Sequence, residues 1–451
     1  MNRFIAFVLL IFLTNCSLDT KSGIWTKKER ITKEKEKNIE QEEKNINNLF
    51  EENDILKKEL NAKLKINLTS KLFNNSFSNN LNNNAGRLNY DGNLKSISKF
   101  KFSKIKNFNL LEPEILSENN NLIFFDNNGT LIKFDTTSKV IWEKNYYNKQ
   151  EKKSKPILFF NNNKDTLIVA DSISKYYAIN IQNGDLLWSK ENSSPFNSQV
   201  KIYKNKFFVI DFDNILRCYS INDGKELWKV KTGNVFIKSQ KKLSIVVENN
   251  TVYFNNSIGD ISAVDIKSGN LLWQTPTQNN SIYQDSFFLK TSDLITNGKS
   301  IVFSNNKNEF YSLDAQRGFI KWKQEINSNL TSTLINELIF AITNEGFLVI
   351  IDDKTGNIIR VTDVFSTFRK NKKNSSKSSF NNSRFNLLYL FDPQNIPNEK
   401  NKKYSPLSVK FKPIGFIVGK KNIYLTTNHG RLFVIDISTG KTKSVLKIDN
   451  E

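Results

Sequence analysis

The chain has 451 residues, 38% hydrophobic and 12% aromatic with 35 Phe, which excludes a chain disordered throughout and suits a large core built from strands. Lys and Arg outnumber Asp and Glu by 66 to 45, a net charge of +21. The excess runs through linkers and structured stretches alike, with no aromatic-and-basic platform or groove-reading motif, so it defines no nucleic-acid partner.

Residues 1–15 read as a signal peptide, with Arg3 in a positive n-region and an apolar run, Phe4 to Leu13, too short to span a bilayer. The run ends in "LTNC", residues 13–16, which resembles a bacterial lipobox, although Asn15 stands where a small residue is usual. Cys16 is therefore the expected lipidation (palmitate) site. By the rule for such lipoproteins, Ser17 in place of Asp sends the protein to the outer membrane, anchored on its periplasmic face. With Cys16 lipidated, the second Cys, Cys218 in "ILRCYSI", has no partner and is expected to pack as a small hydrophobe.

Residues 16–95 read as a charged, low-complexity tether. Glu and Lys pairs at i,i+4 favour a solvated helix over 27–64, but the apolar positions are too sparse for a coiled coil. The Asn-rich stretch after it has the composition of disorder. "SISKFKFSKI", residues 96–105, reads as a spare strand.

From about residue 112 short alternating runs recur with a Gly in the turn at 184, 224, 269, 318 and 356, in steps of 40, 45, 49 and 38 residues. Gly184, Gly224, Gly269 and Gly318 are each followed four positions later by a Trp: Trp188, Trp228, Trp273 and Trp322. An earlier copy ends in Trp142 with Ser138 in the Gly position. Two later ones keep Gly356 and Gly440 without the Trp. In "AVDIKSGNLLW", residues 263–273, Asp265 can accept turn amides, Gly supplies φ > 0, and Trp273 needs a neighbouring unit to cover its ring. A period in the forties with four short strands per copy predicts an all-β propeller of seven recognisable blades, with an incomplete eighth to which the spare strand would contribute. The domain spans 96–451, and the 84-residue step to Gly440 is expected to hold an inserted basic loop, 369–405.

These copies resemble the PQQ-like blade, and together with the lipobox and tether they are similar to the BamB family of outer-membrane β-barrel assembly lipoproteins. The resemblance implies eight blades and a non-catalytic scaffold that binds the POTRA domains of a BamA-like barrel protein. It also implies no cofactor and no small-molecule substrate. The family's partner loops fall on "FIKSQKK" (236–242) and "TSDLI" (291–295), which implicates Ile237, Lys238, Gln240, Lys241 and Asp293. Here Gln240 stands near a family Arg, and the second acidic position is Ile295.

A quinoprotein dehydrogenase shares such blades, but would need clustered carboxylates for calcium, an Asp base and a stacking pocket, none of which is recognisable. The single His, His429, lies in an "NHG" turn, where tolerance of φ > 0 accounts for it, and one His cannot build a triad or a His-based metal site. An envelope adhesin or unrelated scaffold would use the same surface.

Overall fold

The computed structural model describes residues 58–70, 72–73, 83, 85–92, 115–233, 241–277, 291–366 and 411–448. Within them lie seven four-stranded antiparallel sheets, each in simple up-and-down order, over residues 116–144, 158–191, 201–231, 245–275, 295–325, 333–363 and 413–447. We number them blades 1 to 7. The spare strand at 96–105 and the basic stretch at 369–405 lie outside the described residues.

One blade shows how sequence makes the unit. In blade 6 the strands are Thr333–Ile335, Leu338–Ile342, Phe347–Asp352 and Ile358–Asp363. The middle two are wholly apolar inside the blade, as strands covered on both faces must be. The last hairpin turns at Gly356, with φ +75° and its amide donating to the Asp352 carbonyl at 2.8 Å. The Asp352 carboxylate accepts the Thr355 amide at 2.8 Å and so closes the turn from the side. A register shift follows at Ile350/Ile351, and the same shift recurs between the third and fourth strands of every blade.

The Gly does more than turn the chain. A Cβ on Gly356 would lie 2.6 Å from Trp322, the Trp of the preceding blade. Gly184, Gly224, Gly269 and Gly318 meet Trp142, Trp188, Trp228 and Trp273 in the same way. Each indole N–H then donates to the carbonyl three residues before that Gly: Trp142 to Ile181, Trp188 to Ile221, Trp228 to Ile266, Trp273 to Ala315 and Trp322 to Asp353, at 2.8 to 3.2 Å. Gly and Trp are thus two halves of one interblade joint, each meeting its partner in the adjacent copy. Trp142 and Trp322 are buried. Trp273, expected to be buried, is only half-buried and keeps an edge in solvent. Blade 1 bears Ser138 at the Gly position, with φ +67°.

Six hydrophobic clusters each join one blade to the next, from blades 1 and 2 through to blades 6 and 7. The Trp offset in blade 6 holds Arg360, and this side chain takes over the joint. Its Nη2 donates to the Ile437 carbonyl of blade 7 at 2.9 Å, and its Nη1 donates to Ser438 and, at 3.0 Å, to Leu64. Blades 6 and 7 are therefore direct neighbours.

Leu64 belongs to a segment that sequence assigns to the tether. Leu60 exchanges both backbone hydrogen bonds with Val361 on the outer strand of blade 6, and Ile66 packs into the core between blades 6 and 7. Further on, the Asn83 amide group reaches the Val247 carbonyl of blade 4 and its carbonyl accepts from Thr296 of blade 5. Ala85 then bridges Leu334 of blade 6, and the Tyr90 carbonyl accepts from Lys420 of blade 7. Described residues between 58 and 92, within the stretch that sequence reads as a tether, thus make contacts with blades 4 to 7. The physical reason is that this stretch offers backbone groups and a few aliphatics to open strand edges, which composition does not register.

His429 also corrects an expectation. It does not take positive φ; Gly430 does, at +56°, while the imidazole lies edge-on to Phe411 with ring centroids 6.2 Å apart.

Buried acids fill structural roles. Asp171 is fully buried, accepts the amides of Ile173 and Lys175, and receives the Tyr147 hydroxyl at 2.6 Å. Burial pushes its carboxyl up from 3.8 to about 6. The folded protein thus holds this proton over a range where the unfolded chain has lost it, and the associated stability falls as pH rises from about 4 to about 6. Asp171→Asn should remove that part of the stability-versus-pH slope, at most about 1.4 kcal/mol per pH unit, in urea titrations at pH 4, 5 and 6. Identical slopes for the two proteins would contradict it.

Candidate partner-binding rim

The segments leading into the first strands of blades 3, 4 and 5 lie side by side and form one rim. Ser198 bridges Leu243 in parallel register, the Leu243 amide donates to the Asn197 carbonyl at 2.9 Å, and the Leu294 amide donates to the Ser244 hydroxyl at 2.9 Å. Three serines sit at matching positions. Ser198 and Ser292 accept amides of their own second strands, from Ile210 and Ser304, while Ser244 accepts across to the next blade. The rim is thereby fixed by hydrogen bonds that satisfy edge amides, together with Phe196, Leu243 and Leu294, which are buried in the interblade cores.

Gln199 is the centre of this network. Its carbonyl oxygen accepts from the Ile245 amide of blade 4 at 3.2 Å, and its amide group donates to Asp293 Oδ2 of blade 5 at 3.0 Å. The other carboxylate oxygen of Asp293 is buried without a hydrogen-bond partner. Asp293, expected as a free loop charge, is instead half-buried and tied into the rim. The Lys241 carbonyl accepts from the Asn197 side chain at 3.3 Å, so the lysine and the aspartate flank the same blade-3 segment. Ile237, Lys238 and Gln240 lie outside the described residues.

Gln199 and Asn197 were not singled out by sequence reasoning. Their partners lie 94 and 44 residues away, and nothing local marks a polar residue ahead of a strand as a bridge between blades.

Other acids cap turns or pair with basic side chains, as Glu309 does with Lys323. The Asp135, Asp265 and Asp314 carboxylates accept amides two to four residues on, and the Ser268 amide holds the Asp265 carboxyl below its ordinary value. Among the described residues no three carboxylate, imidazole or thiol side chains converge. Cys218 is fully buried in the core between blades 3 and 4, and burial pushes its thiol up to about 12, which keeps it protonated at neutral pH.

Seven four-stranded blades, the first six joined by Gly–Trp contacts and the last by Arg360 against Gly440, with a hydrogen-bonded rim at blades 3 to 5, define a PQQ-like β-propeller. The family model described as outer membrane protein assembly factor BamB matches residues 127–362, just over half of the sequence, and the chain belongs to that family. No curated relative matches the sequence. Among solved structures it is similar to BamB from Moraxella catarrhalis, at 13% identity, TM-score 0.53, and coverage of 74% of this chain and 87% of that one. It is also similar to the computationally designed Ika8 protein, at 12% identity, TM-score 0.52, and coverage of 76% and 90%. At these identities the likeness concerns the fold alone.

Proposed function

We propose that the protein is a non-catalytic scaffold lipoprotein of the outer-membrane β-barrel assembly complex, docking the POTRA region of a BamA-like barrel protein through the rim of blades 3 to 5. The observation that carries this reading is the family match, which spans that rim. Gln199 supports it, because it presets the segments at 241 and 293 in one orientation before any partner arrives, which lowers the cost of association. In this reading Ile237 supplies the desolvated anchor, and Lys238, Gln240, Lys241 and Asp293 orient the partner.

The test is a titration of the protein with a POTRA fragment. Asp293→Asn keeps an acceptor for Gln199 and removes only charge, so Ile237→Asp combined with Asp293→Asn should weaken binding about tenfold or more, through one lost anchor and one lost charge. The circular dichroism spectrum and thermal midpoint should stay near those of the parent. Undiminished affinity of the double variant would move the docking surface elsewhere.

Anchoring belongs to the same proposal. Lipid on Cys16 holds the propeller at the periplasmic face of the outer membrane, where its partner lies. Cys16→Ala should therefore shift the protein to the soluble fraction of cells depleted of the barrel partner. Continued membrane fractionation there would count against lipidation.

A further inference from the structure

We propose that the cleft between the N-terminal segment and blade 7 is a binding site for a single-chain anionic amphiphile, a carboxylate or phosphate monoester head on an acyl chain. The cleft measures about 430 Å³ and has an aliphatic floor of Ile66, Leu68, Leu72 and Ile437. Arg87, Lys420 and Lys421 line the same cleft. A concave site of this size with an apolar floor and convergent charges at one side is the usual form of a small-ligand pocket.

Three of the four charged side chains that line it are cationic. The Arg87 guanidinium is held by carbonyls alone, with Nη1 donating to Lys420 at 2.8 Å and Nη2 to Leu68 and Ser70 at 2.9 and 3.2 Å. Its Nε is buried and has no hydrogen-bond partner. Lys420 and Lys421 are both exposed, and among the described residues neither they nor Arg87 pairs with a carboxylate. Asp436 also lines the cleft, but its Oδ2 is engaged by Lys443 at 2.7 Å. Three cations beside a greasy floor ask for an anionic head with an apolar tail, since either half alone leaves the other surface unmatched. The occupant is a monomer in solution, because the floor lies between two segments of the chain rather than on a flat, outward-facing apolar patch.

Isothermal titration with laurate below its micellar concentration tests this, with dodecanol and inorganic phosphate as tail-only and head-only controls. Laurate should bind about tenfold or more tightly than either control, and Lys420→Ala with Lys421→Ala, which touch only exposed side chains, should cost a similar factor. Arg87→Gln should abolish the preference for laurate over dodecanol. Equal affinity for laurate and dodecanol, or an unaffected double lysine variant, would overturn the proposal. So would lysine-dependent sedimentation with phosphatidylglycerol vesicles in the absence of laurate binding, which would assign the cations to a bilayer surface.

Discussion

Trp322→Ala should destabilise the propeller by about 3–5 kcal/mol, read as a lower midpoint in guanidinium denaturation with an unchanged slope. Trp322 is 8% exposed, stacks on Phe310 with ring planes 5° apart, and belongs to the cluster that joins blades 5 and 6. Its truncation leaves a cavity against Gly356, which has no side chain to collapse into it, and orphans the Asp353 carbonyl. Trp322→Phe, which keeps most of the apolar contact and loses the N–H, should cost about 1–3 kcal/mol through that carbonyl alone. The equivalent Trp273→Ala should cost less, because that ring is only half-buried. A Trp322→Ala midpoint within error of the parent's would refute the joint.

Arg360→Ala should cost about 3 kcal/mol or more, since it leaves the carbonyls of Leu64 and Ile437 without their donor and that of Ser438 with the Ile66 amide alone. It should also free residues 58–66 for protease cleavage, because Arg360 ties that segment to blade 7. Arg360→Trp separates the two roles. It restores the residue type that the other joints place against the Gly, here Gly440, and its single N–H cannot also reach Leu64. This variant should keep most of the stability while still exposing 58–66 to protease. Protection of that segment in both variants would mean that the Leu60 and Val361 pairing and the burial of Ile66 hold it unaided.

The blades were legible because their signal is local. A Gly four residues before a Trp, preceded by an Asp, Asn or Ser at the head of the turn, fixes hairpin, strand and period within a dozen residues. What that signal does not reveal is that the Gly packs on the Trp of the previous copy, a contact made across the joint and visible only once blades are placed side by side. Arg360 could be read as a lost Trp, whereas its guanidinium preserves the same hydrogen bond and adds one to Leu64. The N-terminal segment was illegible for a related reason. Asn61 reaches the Ile359 carbonyl 298 residues away, and the stretch offers single anchors such as Leu60, Ile66 and Asn83 in place of a periodic apolar face. Asp293 was found from the family pattern, but its tie to Gln199, and hence the rigidity of the rim, depends on a fold that brings blades 3 and 5 within one side chain's reach.

The most direct measurement is affinity purification of the full-length protein from detergent-solubilised membranes, with co-purifying proteins identified by mass spectrometry. A POTRA-bearing barrel protein should come down in near-stoichiometric amount, and the Ile237→Asp, Asp293→Asn variant should lose it. Absence of any such protein, with quinone-dependent dye reduction by the purified material, would contradict a scaffold and point to an enzyme.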